Sequence, residues 1–468
     1  MNRRRLFGTS GIRGVVNQDL SPDLCRRVGL AIGTTLAPAS RVCVATDTRI
    51  SRDAIKEAIT TGLLSCGVNV VDLGILPTPA LALLTRESGF VAGIMITASH
   101  NPPEFNGLKL FTENSLGYSQ AQEAEIERVY FDQKFRQGKK GTLEQAQDTK
   151  RKYLSFVEGK LALPGANRRL RVVVDPGNGA ASKFASDIFV QMGLNVIPVN
   201  DEPDGLFPGR SPEPKGDTLQ GTLDFLRQHD ADLAICFDGD ADRVVFCDKE
   251  GFLGFNEPIA FISRLVVKKT GKKKVATTVE TGTLLDLAVK DLGAEVVRGR
   301  VGDVAVAHLV QQVDAALGVE QVGVYIMPEV GYYPDSIFAS LFLLSQLSDA
   351  GEIRQFFQGI PRLFFEKAKV SCPNELKESV MARVKEKAHL FAPDETNTLD
   401  GLRLQFGDSW MLIRASGTEP VIRVISESTS QTQTDDLVSK GKKLVQGVVE
   451  ANMAKLGNNT PPRTVGSS

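Results

Sequence analysis

Three stretches of the chain repeat one pattern of apolar and polar positions. The first runs Arg41-Val-Cys-Val-Ala-Thr-Asp47, then an amphipathic stretch from Ser51 to Ser65, then Cys66-Gly67-Val-Asn-Val-Val71. The second runs from Leu170 to Asp175, continues with helical spacing to Met192, and ends on Gly193-Leu-Asn-Val-Ile197. The third runs Lys274–Val279, Thr283–Leu292 and Gly293–Val297. Each reads as a buried strand, an amphipathic helix closed by glycine, and a second buried strand. Strand-helix-strand crossovers favour sheets covered by helices on their faces, so three related α/β units are predicted.

The region from 370 to 455 breaks this pattern. It carries a strand pair of its own, Leu402–Phe406 and Trp410–Ser416, and reads as a small α+β domain. A polar helical stretch near 132–155 is expected to lead from the first unit to the second. Junctions are expected around Gly251–Asn256 and Phe364–Pro373. The expected domains are therefore 1–150, 151–252, 253–367 and 368–456, followed by a frayed tail at 457–468.

Composition narrows the function classes. A net charge of −1 gives no broad attraction to nucleic acid or anionic membrane. The six cysteines lack any Cys-x-x-Cys pair or zinc-type spacing, and several lie inside apolar runs, as expected of buried thiols in a reducing compartment. Arg3 to Arg5 lead straight into Leu-Phe-Gly-Thr, so no secretory leader is expected. No stretch reaches the ~20 apolar residues of a spanning helix. A cytoplasmic protein with no nucleic-acid or membrane partner is the expectation, as a monomer or homodimer.

Four loops can carry chemistry. Thr97-Ala-Ser99-His100-Asn101-Pro102-Pro103 follows the apolar run Val91–Ile96, so Ser99 sits at a strand's carboxyl end, where open α/β sheets bind ligands. No Gly-x-Ser-x-Gly elbow surrounds it, and a Pro-rich turn that only satisfies backbone groups is the alternative. Asp238-Gly-Asp240-Ala-Asp242-Arg243 follows the buried-strand pattern Ala231–Phe237. Three carboxylates at alternate positions repel one another unless a cation neutralises them, and oxygen-only ligands suit Mg²⁺. An EF-hand is excluded, since Arg243 stands where that loop needs glycine and Lys249 where it needs glutamate. Arg414-Ala-Ser416-Gly417-Thr418-Glu419-Pro420 combines a guanidinium fork, two hydroxyls and an approachable backbone, either a phosphate cradle or an ordinary turn. Leu317–Val324 offers a single carboxylate, Glu320. Gly177-Asn-Gly179-Ala-Ala-Ser182 imitates a dinucleotide fingerprint but lacks its third glycine, and is read as a tight turn.

In this order and at these separations, the loops resemble the α-D-phosphohexomutase superfamily of phosphoglucomutases, phosphomannomutases and phosphoglucosamine mutases, and Pro328-Glu329 and Pro334-Asp335 resemble an archaeal-like subgroup. The match spans Phe7-Gly-Thr-Ser-Gly-Ile-Arg13-Gly14 to Pro420. The resemblance implies three α/β mutase domains and a C-terminal α+β lid domain around a central cleft. It implies that Ser99 is a phosphoserine, that Asp238, Asp240 and Asp242 hold Mg²⁺ with an oxygen on Ser99, and that Arg243 lies beside them. Arg13, His100 and Lys109 match positions that assist proton and charge transfer. Gly302, Asp303 and Glu320 would face the sugar, and Arg414, Ser416, Gly417 and Thr418 would hold the phosphate that is not reacting. The chain departs from the family at Val322 and Val324, where serine and histidine are usual.

The implied activity is interconversion of hexose 6-phosphate and hexose 1-phosphate, with glucosamine, mannose or glucose as the sugar. It would run through a hexose 1,6-bisphosphate that also serves as primer. Two rivals compete. A phosphatase would use Asp238 as an aspartyl nucleophile, although Ala241 replaces the Thr or Val such enzymes carry after the second aspartate. A sugar-phosphate sensor without turnover is motivated by Val322 and Val324.

Overall fold

The computed structural model describes residues 5–8, 11–161, 170–417 and 419–458. These form two compact units. One holds the chain up to Thr277 together with Leu285–Val297 and Gly302–Gly359. The other holds Thr278–Leu284, Arg298–Val301 and the chain from Ile360 on.

Two sheets and most of a third build the first unit. The first has six strands, in the order Ile12–Val15, Phe105–Thr112, Ala92–Ile96, Arg41–Thr46, Asn69–Ile75 and Leu143–Gln145. Arg41–Thr46 pairs in parallel with both neighbours, and five of its six residues are buried, so it reads as a continuous apolar run rather than an alternating one. Helices Pro22–Thr35 and Arg52–Ser65 cover this sheet, the first capped by the Ser21 hydroxyl accepting from Leu24 N–H at 3.2 Å. They cross so closely that a Cβ on Gly62 would lie 2.3 Å from the carbonyl oxygen of Arg26. The second sheet has the order Gly251–Phe252, Val244–Asp248, Leu233–Phe237, Arg171–Asp175, Asn195–Pro198. The third has the order Glu295–Gly299, Lys274–Thr278, Leu317–Glu320, Val324–Ile326. All three predicted crossovers are present, with helices Arg52–Ser65, Ala185–Gln191 and Leu284–Lys290 between their strands.

The second unit is a five-stranded antiparallel sheet, Phe364–Ser371, Val421–Ser428, Ser409–Ala415, Leu402–Phe406, Glu395–Asn397, packed by helices Lys377–Glu386 and Gln431–Asn458. Two short returns of the chain belong with it. Val279 packs with Trp410, Leu412 and Ile425, and Thr283 N–H donates to Glu427 Oε1 at 2.7 Å. Three α/β domains and a C-terminal α+β domain thus make up the architecture.

One local reading changes. The stretch 132–155 is not one helix: helix Gln120–Asp132 ends on Gln133 in the left-handed region, an exposed strand Leu143–Gln145 follows, and helix Thr149–Lys160 starts anew. Glutamine and lysine favour helix, but Gly138 and Gly141 interrupt it. Near the junction expected at Phe364–Pro373, the strand Phe364–Ser371 opens the C-terminal sheet and pairs with Val421–Ser428. Of the tail, 457 and 458 end the last helix and 459–468 lie outside the described residues. All six cysteines are buried and free. Among the described residues, no helix is long and apolar enough to cross a membrane.

Candidate active site

The chemistry-bearing loops of the first unit all leave carboxyl ends of strands. After the fully buried strand Ala92–Ile96, the chain turns through Ser99, which adopts φ +51° and is 1% exposed. A side chain with a Cβ avoids that conformation unless its surroundings enforce it. Here Thr97 Oγ1 accepts from Ser99 N–H at 2.8 Å and donates to Asp47 Oδ2 at 2.7 Å. Arg49, wholly buried, binds the same Asp47 oxygen at 3.0 Å. Its remaining donors reach the carbonyls of Ser99 (3.0 Å), Asn101 (2.5 Å), Phe105 (2.9 Å) and Pro102. One guanidinium therefore shapes the whole Ser99 loop from beneath.

Asp238–Arg243 is the loop of a hairpin between Leu233–Phe237 and Val244–Asp248. Asp238, Asp240 and Asp242 are buried, and their nearest carboxylate oxygens lie within 4.8 Å of one another. Ser99 Oγ donates to Asp238 Oδ2 at 2.7 Å, which joins the two loops. A Cβ on Gly239 would sit 2.5 Å from the Ser99 carbonyl oxygen, so only glycine permits this approach. The turn that imitates a dinucleotide fingerprint supports the same loop: Ala180 N–H donates to Gly239 O at 2.9 Å.

Lys109 Nζ lies 2.7 Å from Asp240 Oδ2 and 2.5 Å from Asp242 Oδ2. Burial opposes its charge, but Asp240, Asp242 and Asp303 outweigh burial and hold its pKa above the ordinary value. Burial also pushes Asp240 up, yet Lys109 beside it, with Thr78 and Arg13, brings it below the usual carboxylate range. Asp238 and Asp242 are raised by burial and by the neighbouring carboxylates. Asp240 Oδ1 and Asp242 Oδ1 are buried without a hydrogen-bond partner. Buried carboxylate oxygens normally have one, so this oxygen-only donor set fits a hard divalent cation.

Three cations, Arg243, Arg13 and Lys109, act on His100, the chain neighbour of Ser99. Arg13 Nη1 donates to Asn101 Oδ1 at 2.7 Å, and burial, above all, lowers its pKa. Arg243 Nε lies 3.8 Å from Asp242 Oδ1. His100 Nδ1 is 3.4 Å from Ser99 Oγ. Burial, reinforced by Arg243, Arg13 and Lys109, takes the imidazole down to about 2, so it is neutral at working pH. Glu320 Oε1 accepts from Gly302 N–H at 2.9 Å, which gathers Gly302, Asp303 and Glu320 at one end of the third sheet. Val322 is partly exposed beside them, whereas Val324 is buried in a core with Ala276, Val306 and Ala307. Position 324 is a packing residue, not an acid or base.

In the second unit, Arg414 is the penultimate residue of strand Ser409–Ala415, 3.2 Å from Glu280 and 3.1 Å from Asp400. Lys369, Arg423 and Arg414 are register partners on three adjacent strands, so three cations lie in a row beside Ser416 and Gly417. Lys377 Nζ pins the turn by donating to Ser416 O (2.6 Å) and Glu419 O (2.5 Å). Thr418 lies outside the described residues.

Sequence reasoning missed Asp47, Arg49, Thr78, Lys377 and Arg423. Asp47 and Arg49, an acid and a base spaced by one residue after a buried strand, carried the clearest signal.

Models of phosphoglucomutase/phosphomannomutase match along the chain: alpha/beta/alpha domain I at residues 4–137, domain II at 151–251, domain III at 256–362, and the C-terminal domain at 368–440. A phosphoglucosamine mutase of Methanocaldococcus jannaschii is 37% identical over 453 residues, 96% of this chain and 99% of that one. A phosphoglucomutase/phosphomannomutase of Thermococcus kodakarensis is 34% identical, covering 94% of this chain and 98% of its own. The crystal structure of a phosphoglucomutase/phosphomannomutase family protein from Burkholderia thailandensis superposes with a TM-score of 0.85 at 26% identity, covering 95% and 97% of the two chains.

Proposed function

Because the chain belongs to the phosphoglucomutase/phosphomannomutase family, we propose that the sugar-phosphate mutase reaction it catalyses runs through Ser99, with glucosamine phosphate as the substrate. One observation carries the Ser99 assignment: its Oγ is 2.7 Å from Asp238 within a trio whose other two carboxylates each keep an unpartnered oxygen. Asp238, Asp240 and Asp242 would hold Mg²⁺. Bound there, the ion supplies charge neutralisation to a phosphoryl group on Ser99.

Phosphoryl transfer is governed by position and charge. A sugar hydroxyl attacks the phosphorus as the bond to Ser99 Oγ breaks; the hydroxyl's proton passes to a neighbouring base, and Ser99 Oγ takes up a proton as it leaves, restoring its own hydroxyl. The product is a hexose 1,6-bisphosphate. It returns its other phosphoryl group to Ser99 after reorienting, and it also serves as primer. Arg13, Arg243 and Lys109 supply positive charge around the transferring group, and neutral His100 is within reach of the Ser99 oxygen. Gly302, Asp303 and Glu320 bring acceptors suited to sugar hydroxyls. Arg414, Ser416, Gly417 and Thr418, flanked by Arg423 and Lys369, suit the phosphate that is not reacting. Domains at 1–150, 151–252, 253–367 and 368–456 carry these four sets in turn.

Glucosamine is favoured because the phosphoglucosamine mutase relative shares 37% of its residues with the chain, against 34% for the phosphoglucomutase/phosphomannomutase relative. The test compares specificity constants for glucosamine, mannose and glucose 1-phosphates with the bisphosphate primer present. A preference for mannose or glucose overturns the sugar assignment. Turnover unaffected by Ser99→Ala overturns the carrier.

A further inference from the structure

The cation loop reaches its shape through contacts from outside the second sheet. Ala241, between Asp240 and Asp242, has φ +58°, a left-handed backbone that a residue with a Cβ disfavours. Its own loop provides one weak restraint, Ala241 N–H to Asp238 O at 3.2 Å. The Ala241 carbonyl points instead to Ser336, whose Oγ donates to it at 2.6 Å with both residues fully buried. Ser336 opens helix Ser336–Gln346. That helix start is itself immobilised: Asp335 accepts from Phe338 N–H at 2.9 Å, and Tyr153 Oη contacts both Asp335 oxygens at 2.8 and 2.9 Å. A second clasp holds the preceding residue, where Thr78 donates its hydroxyl to Asp240 Oδ2 at 2.6 Å and its N–H to Asp240 O at 2.9 Å.

We infer that Ser336 is a positioning residue for the divalent-cation site: its hydroxyl holds Ala241 in the left-handed conformation that turns Asp240 and Asp242 to the same side. With the hydroxyl gone, the buried Ala241 carbonyl loses its partner and the peptide is free to rotate toward a right-handed conformation. Rotation of that one residue re-aims both flanking carboxylates. Ser336 touches neither cation nor substrate, so its effect falls on cation affinity and not on the chemical step. The inference rests on Asp238, Asp240 and Asp242 being a cation site.

Direct Mn²⁺ binding to the full-length, metal-stripped protein tests it by calorimetry. Ser336→Ala is expected to weaken Mn²⁺ binding about tenfold, the range of one buried hydrogen bond. Glycine at 241 tolerates positive φ unaided, so in an Ala241→Gly background the same Ser336→Ala change is expected to weaken binding by less than about threefold. Equal losses in both backgrounds, or unchanged Mn²⁺ affinity with a lowered Tm, overturn the inference. Should Ser336→Ala fail to fold, Ser336→Thr keeps the donor and Ser336→Cys weakens it. Threonine near wild type with cysteine weaker supports the inference, and two equal affinities overturn it. Wild type with no Mn²⁺ binding, or binding untouched by Asp240→Asn, would instead refute the cation site itself.

Discussion

Replacing Arg49 by lysine keeps the charge and removes the fork. Arg49 serves five acceptors: Asp47 Oδ2 and the carbonyls of Ser99, Asn101, Pro102 and Phe105. A lysine ammonium has three donors on one atom, so at least two of these buried acceptors lose their partner. Hydrogen bonds to a charged group contribute about 1.5–3 kcal/mol each, which puts the loss at about 3 kcal/mol or more, concentrated on the Ser99 loop. At that penalty the loop's productive pose falls by about a hundredfold in population. R49K is therefore expected to lower kcat by about a hundredfold with KM changed by less than about threefold, because no group facing the sugar is altered. Hydrogen–deuterium exchange of the peptide spanning 97–106 should accelerate, while that of the second unit should not. A variant with near-native kcat and native exchange in that peptide would refute the reasoning.

Three further outcomes follow from the same geometry. Burial takes His100 from 6.5 to about 2, so the unfolded chain binds a proton that the folded chain refuses between those values. Its contribution is full above pH 6.5 and is lost as pH falls through that window, so the Tm of H100Q relative to wild type should be more favourable at pH 5 than at pH 8. R414K loses the bidentate fork next to Arg423 and should raise KM for the hexose phosphate about tenfold while kcat moves less, as steady-state kinetics would record. Chelation should abolish turnover and lower the Tm at neutral pH, since three buried carboxylates are left facing one another, and Mg²⁺ should restore both.

What the sequence disclosed, and what it hid, divides along a physical line. Strands such as Arg41–Thr46 and Leu233–Phe237 were legible because burial on both faces writes a continuous apolar run. The Ser99 and Asp238 loops were legible because their chemistry sits in consecutive residues. Arg49, Thr78 and Ser336 were not, because each acts across 50, 162 and 95 positions on a partner no local pattern indicates. Thr78 and Ser336 also stand at helix starts, where a hydroxyl reads as an ordinary cap. Val324 looked like a catalytic position filled by the wrong residue; packing against Val306 and Ala307 explains it as core.

The central claim is that one hydroxyl beside a buried acidic trio relays the phosphoryl group. Peptide mapping by mass spectrometry, after incubation with hexose 1,6-bisphosphate and Mg²⁺, reads this directly. A single phosphoryl group on Ser99, absent from Ser99→Ala, is the predicted result. A phosphoryl group on Asp238, or an active enzyme that never acquires one, would contradict it.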